Sequence, residues 1–257
     1  MQCLPLPRTG AAILQAKPAK LQKRNVNCMK IQGLQKMTLL DFPGRVACTV
    51  FLGGCDFRCP FCHNYELLDG TAPAVMDDGE LLRFLHGRKG LLDGVAITGG
   101  EPLLRKDLPD LLRAIRELGF AVKVDTNGNH PDALEALLRE GLVDYVAMDI
   151  KNSPEKYALT AGLDSLDLAP IRRSVRLLME GDTPYEFRTT VVDQLHKAAD
   201  FEAIGRWIAG ARAYFLQPFT DRDSVPFAGF SAPTREALDK YASIMRVYVP
   251  YTQIRGL

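Results

Sequence analysis

Three cysteines fall within eight residues of one another, in Gly53-Gly54-Cys55-Asp56-Phe57-Arg58-Cys59-Pro60-Phe61-Cys62-His63-Asn64. The spacing is C-x3-C-x2-C. Three thiolates so placed can wrap one corner of a small metal centre, and soft thiolates suit iron–sulfur clusters or zinc. A four-iron cubane held by three ligands keeps one iron open to a bound molecule. The competing centre is a Cys3His zinc site that recruits His63. Structural zinc sites usually pair two separated short motifs, no second pair occurs here, and adjacent ligands at 62 and 63 strain a tetrahedron. A purely structural trio of buried cysteines is the third reading. Cys48 sits inside an apolar run and reads as core. Cys3 and Cys28 lie in an unusual N-terminal stretch and read as non-ligands.

Further polar groups stand where apolar runs end. One segment is Thr98-Gly99-Gly100-Glu101-Pro102, whose paired glycines let backbone approach a ligand closely. A second is Asp125-Thr126-Asn127-Gly128, and a third is Met148-Asp149-Ile150-Lys151. Charges at the end of an apolar strand need a partner, a metal or water. The plainer alternative is an Asp–Lys ion pair facing solvent. Arg188 lies in a later run and His196 follows it, in Val192-Asp193-Gln194-Leu195-His196. Gln217-Pro218-Phe219 ends another run. His86 and His130 read as ordinary surface residues.

The elements that must position these groups alternate. Strands are expected over 46–52, 94–97, 121–124, 145–150, 185–192 and 213–216. Each is short and largely continuous in apolar, β-branched or aromatic residues, as suits strands covered on both faces. Helices are expected over 78–87, 107–118, 131–141, 167–180, 199–211 and 233–246. Asp107 and Asp167 serve as candidate N-caps, and Gly119, Gly141 and Gly181 as stops. A last extended piece, 247–254, suits an edge strand. Strand and helix repeated about six times imply a parallel sheet with right-handed crossovers. Six units fall short of the eight that close a barrel. The expected fold is therefore α/β: an open, partial (β/α)6, TIM-like barrel with outer helices. Every motif above then falls at the C-terminal end of a strand, where chemistry gathers in such folds.

The chain has 257 residues and a formal net charge of +1, which provides no global field for nucleic acid or a membrane surface. No run approaches the ~18 apolar residues of a spanning helix. All six cysteines lie in the first quarter of the chain, unlike a disulfide framework spread over a fold, so the compartment reads as cytoplasmic. Residues 1–28 are basic and contain no acid, the first being Asp41. They read as a disordered tail or an upstream extension, with an organelle transit peptide as the other reading. The working domain is expected over 29–257.

The cysteine segment resembles the radical S-adenosylmethionine (radical SAM) superfamily, which carries C-x3-C-x2-C with an aromatic before the last cysteine, here Phe61. The trailing His63-Asn64 is similar to the C-x-x-C-H-N of glycyl-radical-enzyme activases. Leu40-Asp41-Phe42-Pro43-Gly44-Arg45 resembles the D-x-P-G stretch that precedes strand one in that group. T-L-L-D-F-P-G and the ending I-R-G are most similar to the activating proteins of anaerobic ribonucleoside-triphosphate reductases. The resemblance spans about residues 30–257.

It implies a [4Fe–4S] cluster on Cys55, Cys59 and Cys62 and S-adenosylmethionine bound beside it. Gly99, Gly100 and Glu101 match the motif that meets its amino group. Asp125, Thr126 and Asp149 match residues that hold a monovalent cation near its carboxylate, which Lys151 binds. His196 corresponds to a histidine near ribose and adenine. The implied activity is reductive cleavage of S-adenosylmethionine to a 5′-deoxyadenosyl radical that installs a glycyl radical on a partner, with flavodoxin or ferredoxin as electron donor in an anaerobic setting. The implied partner is anaerobic ribonucleotide reductase. Alternatives are an activase of the pyruvate formate-lyase type, a radical SAM enzyme acting on a small molecule such as a deazaguanine-pathway synthase, and a zinc-stabilised binding protein.

Overall fold

Runs such as Ala47–Leu52 and Tyr145–Asp149 place apolar side chains on both faces of an extended backbone, so each is stable only between two covering layers. The computed structural model describes residues 28–256. The basic stretch 1–28 lies outside them apart from its last residue, Cys28, which is exposed; Cys3 lies outside with it. The strands are β1 (Lys30–Ile31), β2 (Gly33–Thr38), β3 (Ala47–Leu52), β4 (Met76–Asp77), β5 (Gly94–Gly99), β6 (Ala121–Thr126), β7 (Tyr145–Asp149), β8 (Tyr185–Val191), β9 (Tyr214–Pro218) and β10 (Thr252–Ile254). The helices are α1 (Asp78–His86), α2 (Leu108–Glu117), α3 (Pro131–Arg139), α4 (Tyr157–Ala161), α5 (Ala169–Glu180), α6 (Ala198–Trp207) and α7 (Arg235–Arg246).

Eight strands form one sheet in the order β10-β9-β8-β7-β6-β5-β3-β2. Neighbours from β3 to β10 run parallel, and β2 joins β3 antiparallel as the far edge. The six expected parallel strands are present in sequence order. The extended C-terminal piece does add an edge, with Thr252 beside Tyr214. β2 and the small β1–β4 pair were not expected. β2 is a polar edge strand exposing Gln35, Lys36 and Met37, and two-residue strands carry no periodicity.

Outer helices bury one stripe each. In α2 this is Leu108, Leu111, Leu112 and Ile115, the spacing of one helical face. α5 repeats it with Ile171, Ser174, Val175 and Leu178. Asp107 occupies the cap position of α2 without capping it, because Arg105 binds both its carboxylate oxygens, at 2.9 and 3.1 Å. Asp167 precedes the cap residue of α5, Leu168, and accepts the Ala169 amide.

The inner face of the sheet is unusually charged. Parallel register sets Asp125 beside Ala147 and Asp149 beside Arg188. Period-two alternation then points Lys123, Asp125, Ala147, Asp149, Glu186 and Arg188 inward together. At the N-terminal end of the barrel, fully buried Glu186 accepts two hydrogen bonds from Arg255, at 2.7 and 2.9 Å, and one from Tyr145 at 2.9 Å. At the other end the charges face a cavity.

Candidate active site

The loop after β3 carries the three cysteines, and backbone bonds fix its course. Gly54 and Cys55 amides donate to the Leu67 and Leu68 carbonyls, and Arg58 N–H donates to Ala161 at the end of α4. Gly162, which ends α4 at φ +71°, packs so closely on Arg58 that a Cβ there would overlap the Arg58 carbonyl. The Arg58 side chain turns back onto the Cys55 and Phe57 carbonyls, at 2.5 and 2.8 Å.

Asp56 anchors the same loop to the end of β6. It accepts from Asn127 at 2.8 Å, Asn129 at 2.6 Å and the His130 ring at 3.0 Å. Burial opposes its charge, but the donors from His130, Asn129 and Asn127 outweigh that and hold its carboxyl at about 2. The same contact raises His130 above the ordinary histidine value. His130 is therefore a hydrogen-bonding partner of the cysteine loop, in place of the ordinary surface residue expected. His63 stacks on Phe219 at 5.5 Å, and its Nε2 lies 2.6 Å from the Thr220 carbonyl. It joins the loop to the end of β9, across the open side of the barrel.

One cavity at the C-terminal ends of the strands is lined by Cys55, Cys59 and Cys62 together with Phe61, His63, Asn64, Gly99, Gly100, Asp125, Thr126, Asp149 and Lys151. These come from the loops after β3, β5, β6 and β7, so the composite site expected from the strand ends is assembled. Thr98, Arg188, Thr190 and Gln217 also line it.

Burial pushes the Cys55 thiol up to about 12 and Cys59 to about 11, and raises Cys62 as well. Such thiols are poor nucleophiles at neutral pH, but a bound metal centre deprotonates them outright. Among the described residues, no three His, Cys, Asp or Glu groups converge on a single-ion site. The thiols instead border a volume, which suits a multi-iron cluster with one face left toward the cavity.

Opposite them is the Gly99-Gly100 turn. Gly99 has φ +120°, and a Cβ on it would overlap Leu52 backbone; one on Gly100 would overlap the Gly54 carbonyl. Asn64 Nδ2 donates to the Gly99 carbonyl at 2.9 Å, coupling the cysteine loop to this turn. Backbone groups next to a soft metal centre offer acceptors for a cationic amine, and Lys151 offers a donor for a carboxylate. The donor set thus fits a cluster and S-adenosylmethionine.

Two expected site residues stand behind the wall. Glu101 is buried: Oε1 accepts from the Leu103 amide at 3.0 Å and the Thr126 hydroxyl at 2.9 Å, and Oε2 from the Asn127 amide at 2.6 Å. Burial pushes it up to about 7 against the pull of those donors. His196 is fully buried beside Val192 and Lys151 backbone. Both brace wall segments. Charge pairing on the wall itself is dense. Lys123 and Arg188 bind Asp125, while Arg188 and Lys151 bind Asp149. Arg188 and Lys151 with Asp149, and Arg188 and Lys123 with Asp125, outweigh burial and hold both carboxyls below the usual carboxylate range.

A family model described as the radical SAM superfamily matches residues 49–200. A provisionally named glycyl-radical enzyme activating enzyme of Methanocaldococcus jannaschii is 29% identical over 238 residues, 88% of this chain and 96% of that protein. The pyruvate formate-lyase-activating enzyme of Clostridium pasteurianum is 34% identical over 128 residues, 48% of this chain and 52% of that one. Among solved structures, a domain of the pyruvate-formate lyase-activating enzyme of Bacteroides vulgatus aligns with a TM-score of 0.53 at 20% identity, over 63% of this chain and 99% of that chain. Streptococcus suis SuiB bound to S-adenosylmethionine aligns with a TM-score of 0.62 at 12% identity, over 81% of this chain and 52% of that chain. At these identities the structural likeness is one of fold.

Proposed function

The chain belongs to the radical SAM superfamily, and on that premise we propose that it is the activase of a glycyl radical enzyme, namely anaerobic ribonucleoside-triphosphate reductase. The observation that carries this reading is the convergence of Cys55, Cys59 and Cys62 with the Gly99-Gly100 turn and Lys151 on one cavity. The full-length likeness to the M. jannaschii protein supports an activase. The T-L-L-D-F-P-G and I-R-G segments support the reductase as the target. A specific observation favours a second reading: the C. pasteurianum relative is a pyruvate formate-lyase-activating enzyme, so pyruvate formate-lyase is the alternative partner.

In this reading Cys55, Cys59 and Cys62 hold a [4Fe–4S] cluster. Held there, a reduced [4Fe–4S] cluster would supply the electron for reductive carbon–sulfur cleavage of bound S-adenosylmethionine to methionine and a 5′-deoxyadenosyl radical, which would become 5′-deoxyadenosine on taking a hydrogen atom from a glycine Cα of the partner. The chain's own residues position and exclude. Backbone at Gly99 and Gly100 receives the amino group, with Glu101 as the brace of that turn. Lys151 donates to the carboxylate. Phe61, 5% exposed, shields the thiol wall from water, and Asn64 holds Gly99 in place.

Residues 29–257 act as one radical SAM domain, with 1–28 as an upstream extension. Flavodoxin or ferredoxin supplies the electron, and the setting is anaerobic and cytoplasmic. No helix among the described residues is long and apolar enough to cross a membrane.

The test is low-temperature electron paramagnetic resonance on the cluster-reconstituted, reduced chain with S-adenosylmethionine and each candidate partner in turn. A glycyl-radical doublet with the reductase supports the reading. A doublet with pyruvate formate-lyase alone moves the target, and none with either enzyme overturns the activase assignment.

A further inference from the structure

Asp125, Thr126 and Asp149 match residues that hold a monovalent cation in related enzymes, yet their environment here does not suit one. All four carboxylate oxygens are already bound by side-chain cations. Asp125 Oδ1 accepts from Lys123 Nζ and its Oδ2 from Arg188 Nη2 at 3.1 Å. Asp149 Oδ1 accepts from Arg188 Nε at 2.5 Å and its Oδ2 from Lys151 Nζ at 2.8 Å. The third candidate ligand is committed too: Thr126 Oγ1 donates to Glu101 and accepts the Gly128 amide at 3.0 Å. Oxygen ligands serve a hard cation through lone pairs turned toward it. Here a metal ion would sit against a guanidinium and two ammonium groups, where like-charge repulsion in a partly desolvated site is strong.

Strand register explains how one side chain reaches both acids. Arg188 is the direct neighbour of Asp149. Asp125 is one strand further, level with Ala147, whose methyl group leaves the inner face open for the guanidinium to cross. Nε and Nη2 are then used. Nη1 has no protein acceptor, and no buried side-chain nitrogen or oxygen among the described residues lacks a partner, so Nη1 is open to the cavity that Arg188 lines.

We propose that Arg188 replaces the monovalent cation in this chain: its guanidinium neutralises Asp125 and Asp149 and offers Nη1 to the carboxylate of S-adenosylmethionine. This rests on the radical SAM reading of the cavity. A planar, permanently charged fork suits the task, since it satisfies two acids and a third carboxylate at once. Asp125 and Asp149 thereby act as positioning residues for Arg188.

The experiment measures S-adenosylmethionine binding to the cluster-reconstituted full chain by equilibrium dialysis. One buffer has only tetraethylammonium as cation; another has added potassium or sodium. Sodium NMR line broadening reports cation binding directly. Wild type should bind with the same Kd in both buffers, within about twofold, and show no saturable sodium site. Arg188→Gln should lose about tenfold or more in the metal-free buffer and regain affinity with potassium or sodium, while Arg188→Lys should stay cation-independent. If the Gln variant does not fold, wild type and the Lys variant decide. Wild-type affinity that falls about tenfold without a metal cation overturns the inference alone. An unchanged Gln variant overturns it as well. Wild type that binds S-adenosylmethionine in neither buffer overturns it together with the radical SAM reading of the site.

Discussion

The ring of His196 donates from Nε2 to the backbone carbonyl of Lys151 at 2.9 Å, while its Nδ1 accepts the Val192 amide at 3.1 Å. These partners fix one neutral tautomer. Burial lowers its pKa below the ordinary histidine value. Between the folded and unfolded values the unfolded chain binds the extra proton, so stability rises with pH there. The contribution is complete above about 6.5, the unperturbed histidine value, and is lost as pH falls below it. Thermal melts from pH 8 to 5 should show the Tm advantage of wild type over His196→Ala shrinking as the pH falls, the difference cancelling the opposite slopes of Glu101 and His130. At the top of that range His196→Ala should lower stability by about 1–3 kcal/mol through the unpaired Lys151 carbonyl, and weaken S-adenosylmethionine binding by displacing Lys151.

The Gly99-Gly100 turn tolerates no side chain. Gly100→Ala presses a methyl group into the Gly54 carbonyl, one residue from the first cysteine. Overlap with backbone places this among severe substitutions, with a loss of about 4 kcal/mol or more. Iron and sulfide content after reconstitution should fall with Tm. Full cluster loading in a stable Gly100→Ala protein would contradict the close approach.

Raised thiol pKa values make the empty site unreactive. In the cluster-free protein at neutral pH, Cys55 should alkylate about a thousandfold and Cys59 about a hundredfold more slowly than a free cysteine, because the thiolate fraction falls tenfold for each unit by which burial raises the pKa. Reconstitution should release protons as the thiols become ligands. Mass spectrometry of iodoacetamide-treated protein and pH-stat titration measure the two. Rapid alkylation of Cys59 at neutral pH would show that its surroundings are not those described.

Arg255 seals the far end of the barrel. It holds Glu186, which is 0% exposed, through two hydrogen bonds and lies over the Phe215 ring at 3.6 Å. Arg255→Ala leaves a buried carboxylate without its cation, a loss of about 3–5 kcal/mol. Adding Glu186→Gln should recover part of it, and urea unfolding of the single and double variants measures both.

Contiguous motifs at strand ends were legible in the sequence because a parallel strand delivers whatever follows it to the same rim. The cysteine loop, Gly99-Gly100, Asp125-Thr126, Asp149 and Lys151 all reached one cavity for that reason. Depth was not legible. Glu101 and His196 sit as near strand ends as the wall residues do, yet face amides behind them. Cross-strand pairing was equally hidden. The bridging of Asp125 and Asp149 by Arg188 follows from a register that no single segment encodes. His130 gave no sign of its partner Asp56, 74 residues away. α4 spans five residues, too few to display a helical period, yet it supports Arg58 and hence the cysteine loop.

The most direct test of the central claim is a single-turnover assay. Wild type and Cys59→Ala, each anaerobically reconstituted with iron and sulfide, are reduced and mixed with S-adenosylmethionine, and 5′-deoxyadenosine and methionine are quantified. The expected result is that wild type forms both products in equal amounts and Cys59→Ala forms neither. Undiminished cleavage by Cys59→Ala, or a wild-type protein that takes up zinc but no iron and sulfide, would contradict a three-cysteine radical SAM centre.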